Sequence, residues 1–178
     1  MMIKALMSLL FLVSLVGCTG LPDGVSPVKN FNLEKYQGKW FEIARLDHSF
    51  ERGLEQITAQ YTIKQNGDVE VINRGFSTAD KQWQQATGVA KFVETSDIGY
   101  LKVSFFRPFY GSYIIFGLDD DYQHAFVSGP DTSYLWFLSR TTTPPPKVMQ
   151  QFITQASALG FDVDKLIYPA HPLPLSDK

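Results

Sequence analysis

The chain is poor in cysteine: Cys18 is the one thiol in 178 residues. That excludes an intrachain disulfide and any metal site built from several cysteines. An excess of basic charge is also missing. Sixteen Lys and Arg stand against 18 Asp and Glu, so nothing is in place to neutralise a phosphate backbone, and nucleic acid is disfavoured as a partner. Histidine is scarce, and His48, His124 and His171 are far apart and outside any catalytic motif. Glycines sit at turns, with no loop that would cradle a phosphate. Asp119-Asp120-Asp121 lacks the glycine and terminal glutamate of an EF-hand loop and reads as a polar turn. Neither a catalytic set nor a metal-binding set is expected. The longest apolar run, Ala5–Val16, would rise only about 18 Å as a helix, short of the ~30 Å core of a bilayer.

Apolar residues are plentiful, at 44% against 19% charged, which excludes intrinsic disorder. The length fits one domain. Aromatics stand out, with 14 Phe, 8 Tyr and 3 Trp, and a core of this size needs only some of them. The apolar run behind Lys4 reads as the hydrophobic region of a signal peptide over residues 1–17. It ends Leu15-Val16-Gly17-Cys18, which resembles the bacterial lipobox. That resemblance implies cleavage after Gly17, a diacylglycerol thioether on Cys18 and an acyl chain on the new amino terminus. Several acyl chains hold a protein in a membrane, where one anchors only marginally. Thr19 stands where aspartate would resemble an inner-membrane retention signal, so the expected location is the outer membrane, with the domain facing the periplasm. Residues 18–30 read as a lipidated terminus and tether, 31–170 as the folded domain and 171–178 as a tail.

Strand signals dominate the rest. Candidate strands are Trp40–Asp47, Gln56–Lys64, Val69–Phe76, Trp83–Val93, Tyr100–Phe105, Ser112–Leu118, His124–Ser128 and Tyr134–Ser139. Asn66-Gly67-Asp68 suits a tight hairpin. Turns separate the strands and no helix lies between them, which indicates an antiparallel all-β barrel or sandwich. After Pro144-Pro145-Pro146, apolar residues at Val148, Met149, Phe152, Ile153, Ala156 and Leu159 form one stripe of an amphipathic helix packed outside the strands. Gly160 suits its C-terminal cap. Val163–Tyr168 is a candidate ninth strand.

Three motifs then narrow the choice. Gly38-Lys39-Trp40 opens the first strand, Asp121-Tyr122 stands between the sixth and seventh, and Arg140 ends the eighth. In this order they resemble the lipocalin signature, with Asp120 in place of the usual threonine. The runs Tyr36–Arg45 and Val103–Gly111 resemble the bacterial outer-membrane lipoprotein branch and its animal relative apolipoprotein D. The resemblance implies an eight-stranded up-and-down barrel with one external C-terminal helix. It implies binding of fatty acids, lysophospholipids or similar apolar molecules, a link to envelope maintenance under stress, and a homodimer as one allowed assembly. Trp40 would plug the closed end with Arg140 stacked on it, a contact worth about 0.5–2 kcal/mol, and Gly38 would let the chain turn beneath the barrel. These motif residues are structural and not ligand contacts.

Strand side chains alternate faces. If Arg140 points inward, so do Leu138, Trp136 and Tyr134. The inward sets elsewhere are Ala59, Tyr61 and Ile63; Gly88, Ala90 and Phe92; Leu101, Val103 and Phe105; and Tyr113 and Ile115. Small Ala59, Gly88 and Ala90 would leave space. The expected ligand contacts are Tyr61, Asn73, Phe92, Phe105, Tyr113, Trp136 and Leu138. The loops Asp47–Leu54 and Phe106–Tyr110 belong at the open end, where Arg52 or Arg107 could attract an anionic head group. Two rivals stay open: a lipid-modifying enzyme using the same pocket, and a structural lipoprotein whose barrel is filled.

Overall fold

The structure is a computed structural model that describes residues 20–172. The signal segment, Cys18 and the tail from residue 173 lie outside the described residues. Eight strands form the wall: β1 Gly38–Arg45, β2 Leu54–Ile63, β3 Val69–Ser77, β4 Gln82–Phe92, β5 Tyr100–Phe106, β6 Phe109–Leu118, β7 His124–Ser128 and β8 Leu135–Ser139. Each pairs antiparallel with the next, and β8 returns to pair with β1, so the sheet is a closed barrel. Between β2 and β3, Gly67 takes φ +82°, while the Asn66 side chain accepts from the Asp68 amide. Side-chain chemistry thus closes the turn where an Asn-Gly pair was expected to do so. The up-and-down order puts the loops after β1, β3, β5 and β7 at one end, and those after the even strands at the other.

The second end is sealed. A single helical turn, α1 Leu33–Tyr36, is capped by Asn32, whose side chain accepts from the Lys35 amide. It lies under Trp40, which is fully buried. The Arg140 guanidinium sits 3.9 Å from the centroid of the Trp40 indole. It also donates to the carbonyls of Lys35, Tyr36, Gln37, Lys39 and Tyr122. A helix end leaves its last carbonyls unpaired, and here one cation satisfies them. Gly38 has φ +95°, and a Cβ there would lie 3.4 Å from Arg140 Nη1, so the position needs both left-handed freedom and slimness. The Asp121-Tyr122 motif belongs to the same end. The Tyr122 hydroxyl accepts from the Asn32 amide, Asp121 is exposed, and Asp119 holds the turn by accepting from the Gln123 and His124 amides.

A second hydrophobic cluster lies outside the wall. The helix α2 Pro146–Ala158 buries Phe152 and Ala156. The Phe152 ring packs 5.2 Å from both Phe126 and Phe137, whose outward faces it covers. Gly160 at φ +84° follows the helix end.

Three expectations are corrected. Residues 20–30 do not stand off as a tether. Pro22 and Val25 are buried, and Val28 exchanges backbone hydrogen bonds with Gly99 and Ile115. The apolar side chains among the prolines find a surface to cover. Val163–Tyr168 is no ninth strand. It forms a 3-10 turn at Val163–Lys165 and one bridge from Ile167 to Arg45. Pairing of β1 with β2 runs only over Gly38–Phe41, so a single backbone site at Arg45 is left for it. Finally, β6 begins at Phe109, because the hairpin after β5 is shorter than expected.

Candidate ligand cavity

The inward faces enclose a cavity of about 380 Å³. Its wall includes Ala59 and Tyr61 from β2, Val71 and Asn73 from β3, Val103 and Phe105 from β5, Tyr113 from β6, and Trp136 and Leu138 from β8. Six of the seven expected contacts therefore share one space. Phe92 does not reach it. Phe92 lies toward the sealed end, where its ring packs edge-on against Phe31 at 6.2 Å. It pairs with Leu101, two residues nearer that end than the Ala90–Val103 pair. The small-residue argument holds for Ala59 alone. Ala90 is packed in the core, and a Cβ on Gly88 would strike the Phe105 ring at 2.8 Å, so Phe105 already uses that space. A further compartment of about 360 Å³ opens beside the first, sharing Phe50, Glu51, Ile57, Asn73 and Phe105.

The floor is phenolic. The Tyr113 hydroxyl lies 2.7 Å from both the Tyr36 and the Tyr61 hydroxyls. Burial pushes all three phenols above their ordinary range, so they remain neutral. Because the hydroxyls satisfy one another, the floor offers a ligand aromatic faces more than hydrogen bonds. The polar tips of Tyr61 and Tyr113 are thus turned on each other. Asn73 differs: its Oδ1 is buried without a hydrogen-bond partner in the described structure, and it lines both compartments.

The upper wall carries buried charge that sequence reasoning missed. Glu42, Arg45 and Glu51 are only 3%, 2% and 6% exposed. Arg45 Nη1 donates to Glu42 Oε1 at 2.9 Å, and Arg45 Nη2 donates to the Glu51 carbonyl at 3.0 Å. Trp136 Nε1 donates to Glu51 Oε2 at 3.1 Å. Burial, the largest cause, raises both carboxyls; the neighbouring Glu51 raises Glu42 further, and Arg45 opposes the shift in each. One cation thus faces two buried carboxyls, and burial favours the protonated form of each. The signal for Glu42 was present, since an inward Trp40 puts Glu42 inward two residues later. Arg45 has the wrong parity for that rule. A bulge between Glu42 and Ala44 turns it inward.

His48 closes this wall. Its ring stacks between Phe50 and Tyr134 and lies 4.6 Å from Trp136. Burial, helped by Arg45, lowers it to about 4, so it is neutral at physiological pH. Of the two arginines considered for a head group, Arg52 is paired with Asp47 at 2.6 Å, and Arg107 is exposed in the β5–β6 turn. The arrangement is a binding geometry: an aromatic floor, an apolar shaft and an acidic, aromatic mouth.

The sequence profile of a lipocalin-like domain matches residues 31–171. The chain is 52% identical to the outer membrane lipoprotein Blc of Vibrio cholerae, over 93% of this chain and 97% of that one. It is 47% identical to the Escherichia coli protein of the same name, over 91% and 92%. Mouse apolipoprotein D is 31% identical over 89% and 92%. Among solved structures, insecticyanin from the tobacco hornworm Manduca sexta superposes with a TM-score of 0.66 at 19% identity, covering 86% of this chain and 87% of that one; this likeness speaks for the fold. With its closed eight-stranded wall, its plugged floor and these relatives, the chain belongs to the lipocalin family.

Proposed function

We propose that this lipocalin binds single-chain lipids, fatty acids or lysophospholipids, and stores or carries them for maintenance of the outer membrane. The cavity carries the reading. At about 380 Å³ it falls at the lower end of the ~300–1,000 Å³ typical of ligand pockets, a size suited to one acyl chain. Such open space also speaks against a filled, purely structural barrel. The tail would descend onto the Tyr61–Tyr113 floor, with the head group near Trp136 and Asn73. Cys18, by its lipobox, would carry the thioether-linked diacylglycerol and the N-acyl chain. The names of the bacterial relatives as outer membrane lipoproteins support that anchor and location. The ligand leaves chemically unchanged.

Titration of the soluble domain with lysophosphatidylcholine tests this. Trp136 emission should change saturably, and Trp136→Phe should abolish the change, because Trp40 is sealed beneath the floor and Trp83 lies on the outer wall. Absence of a saturable response to every acyl lipid tried defeats the proposal, and recovery of a cleaved lipid points to an enzyme.

Glu42 and Glu51 add a pH dependence. At high pH the pair carries more negative charge than Arg45 neutralises, which disfavours a carboxylate head nearby. Their raised values mean that acidification protonates them earlier than ordinary glutamates. Asp47 is held low by Arg52, and His48 titrates only near 4. Affinity for a long-chain fatty acid should therefore rise as the pH is lowered, beginning above the range where ordinary glutamates titrate. The slope should be shallower in Glu51→Gln, whereas lysophosphatidylcholine affinity stays flat. Equal slopes in wild type and Glu51→Gln would discard the charge argument.

A further inference from the structure

We infer that the barrel has a side entrance between β4 and β5, with Phe105 as its door and an outer site at Ser104 and Arg107 that meets the oxyanion head of an incoming single-chain lipid. This rests on the proposed binding of such lipids. The unequal length of two ladders is the first observation. β4 pairs with β3 from Gln82 to Ala90, but with β5 only over Val89–Phe92. Residues 82–88 of β4 therefore keep one backbone edge without a partner strand, roughly 20 Å of it. Gln82 to Thr87 are all exposed, whichever face of the strand they occupy. That is the pattern of a wall split along this line, since a closed one would shelter alternate residues.

A side chain closes the split where backbone does not. Phe105 borders the barrel cavity, the compartment beside it and a groove of about 640 Å³ on the outer wall; no other described residue lines all three. Its ring lies against Gly88, where a Cβ would come within 2.8 Å of the ring and 2.7 Å of the Ser104 carbonyl oxygen. The bare backbone of Gly88 is what lets the ring lie across the gap. A ladder of backbone hydrogen bonds opens only when the sheet is broken, whereas a partly exposed side chain changes rotamer within nanoseconds. Phe105 is 44% exposed, so it has solvent to swing into.

The outer groove supplies the second observation. Its acidic residues are engaged, Glu70 with Lys64 at 2.7 Å and Asp68 with Lys91 at 3.1 Å. Arg107 lines the same groove and has no ion-pair partner among the described residues. Ser104 lines it too and is 3% exposed, and its Oγ is buried with no hydrogen-bond partner in the described structure. A buried hydroxyl left unpaired costs free energy. A phosphate or carboxylate oxygen accepts from a hydroxyl and from a guanidinium alike. The tail of a lipid met here by its head lies at Phe105. When the ring swings, the chain passes sideways into the cavity, and the head follows along the open edge of β4 toward Trp136.

Stopped-flow mixing of the purified protein with lysophosphatidic acid, palmitate or monopalmitoylglycerol, followed by Trp136 emission, tests the path. Thr87 is exposed and borders the outer groove but neither interior compartment. Thr87→Phe should slow association and dissociation of all three lipids several-fold and leave affinity near that of wild type, because a blocked doorway changes rates and not the equilibrium. Phe105→Ala should raise both rates; loss of a mere ligand contact would raise dissociation alone. Ser104→Ala and Arg107→Gln should each slow association of the two anionic lipids several-fold, leave monopalmitoylglycerol unaffected and leave Tm no lower than in wild type. A loss confined to one anionic lipid supports the site and names its head group. The inference is overturned by wild-type rates in Thr87→Phe, by faster dissociation alone in Phe105→Ala, or by unchanged association of both anionic lipids in Ser104→Ala and Arg107→Gln. Absence of a saturable response to all three lipids in the wild-type protein is a separate result: it defeats the binding reading itself, and this path with it.

Discussion

Replacing Arg140 with alanine should destabilise the domain by about 3–4 kcal/mol, since charge-assisted bonds are lost and carbonyls beneath the plug are stranded. For a chain of this size that corresponds to a fall in Tm of roughly 10 °C. The side chain is not a surface ornament. It donates to three successive carbonyls at the end of α1, to Lys39 and to Tyr122, and its flat face covers Trp40. Lysine supplies charge but neither the fork nor the planar stack, so Arg140→Lys should recover only part of the loss. Ligand affinity in the folded fraction should stay near that of wild type, because Trp40 and the phenolic floor separate Arg140 from the cavity. Thermal melts and lipid titration on the same sample check both halves. An unchanged Tm would show that the plug holds without its cation, and a large affinity loss would show that floor and plug move together.

Ala59→Phe should have the opposite profile. Ala59 is an inward residue of β2 on the cavity wall, opposite Trp40 on β1 and Asn73 on β3. A phenyl ring there projects into space a ligand would use. Affinity for an acyl lipid should fall by about a hundredfold, on the order of 3 kcal/mol. Tm should move by only a few degrees, since the ring enters a void and not a filled core. Gln60→Phe, one residue along and on the outer face, is the control and should leave binding unchanged. If Ala59→Phe binds as wild type does, the ligand sits elsewhere.

The strand pattern was legible because alternation and turn chemistry are local. Asn66-Gly67 marks a hairpin without knowledge of the rest, and inward Tyr61, Tyr113, Trp136 and Leu138 follow from parity. The unread parts depend on nonlocal events. A four-residue helix such as α1 leaves no periodicity, and it exists because Arg140, a hundred residues later, satisfies its carbonyls. Arg45 enters the interior only through the β1 bulge. Glu42 could have been read from Trp40, but its neighbouring carboxyl Glu51 comes from a loop whose path no pattern encodes. Phe92 had the correct face and the wrong height, since parity says nothing about depth along the barrel.

The return of β8 to β1 has a consequence for crowded surroundings. Every strand of the wall has two neighbours, so bare backbone is confined to stretches where a ladder stops short, such as residues 82–88 of β4, which lie beyond its pairing with β5. Where copies are gathered side by side on one surface, closure of the ring thus limits the sites of strand addition to such short edges and does not abolish them.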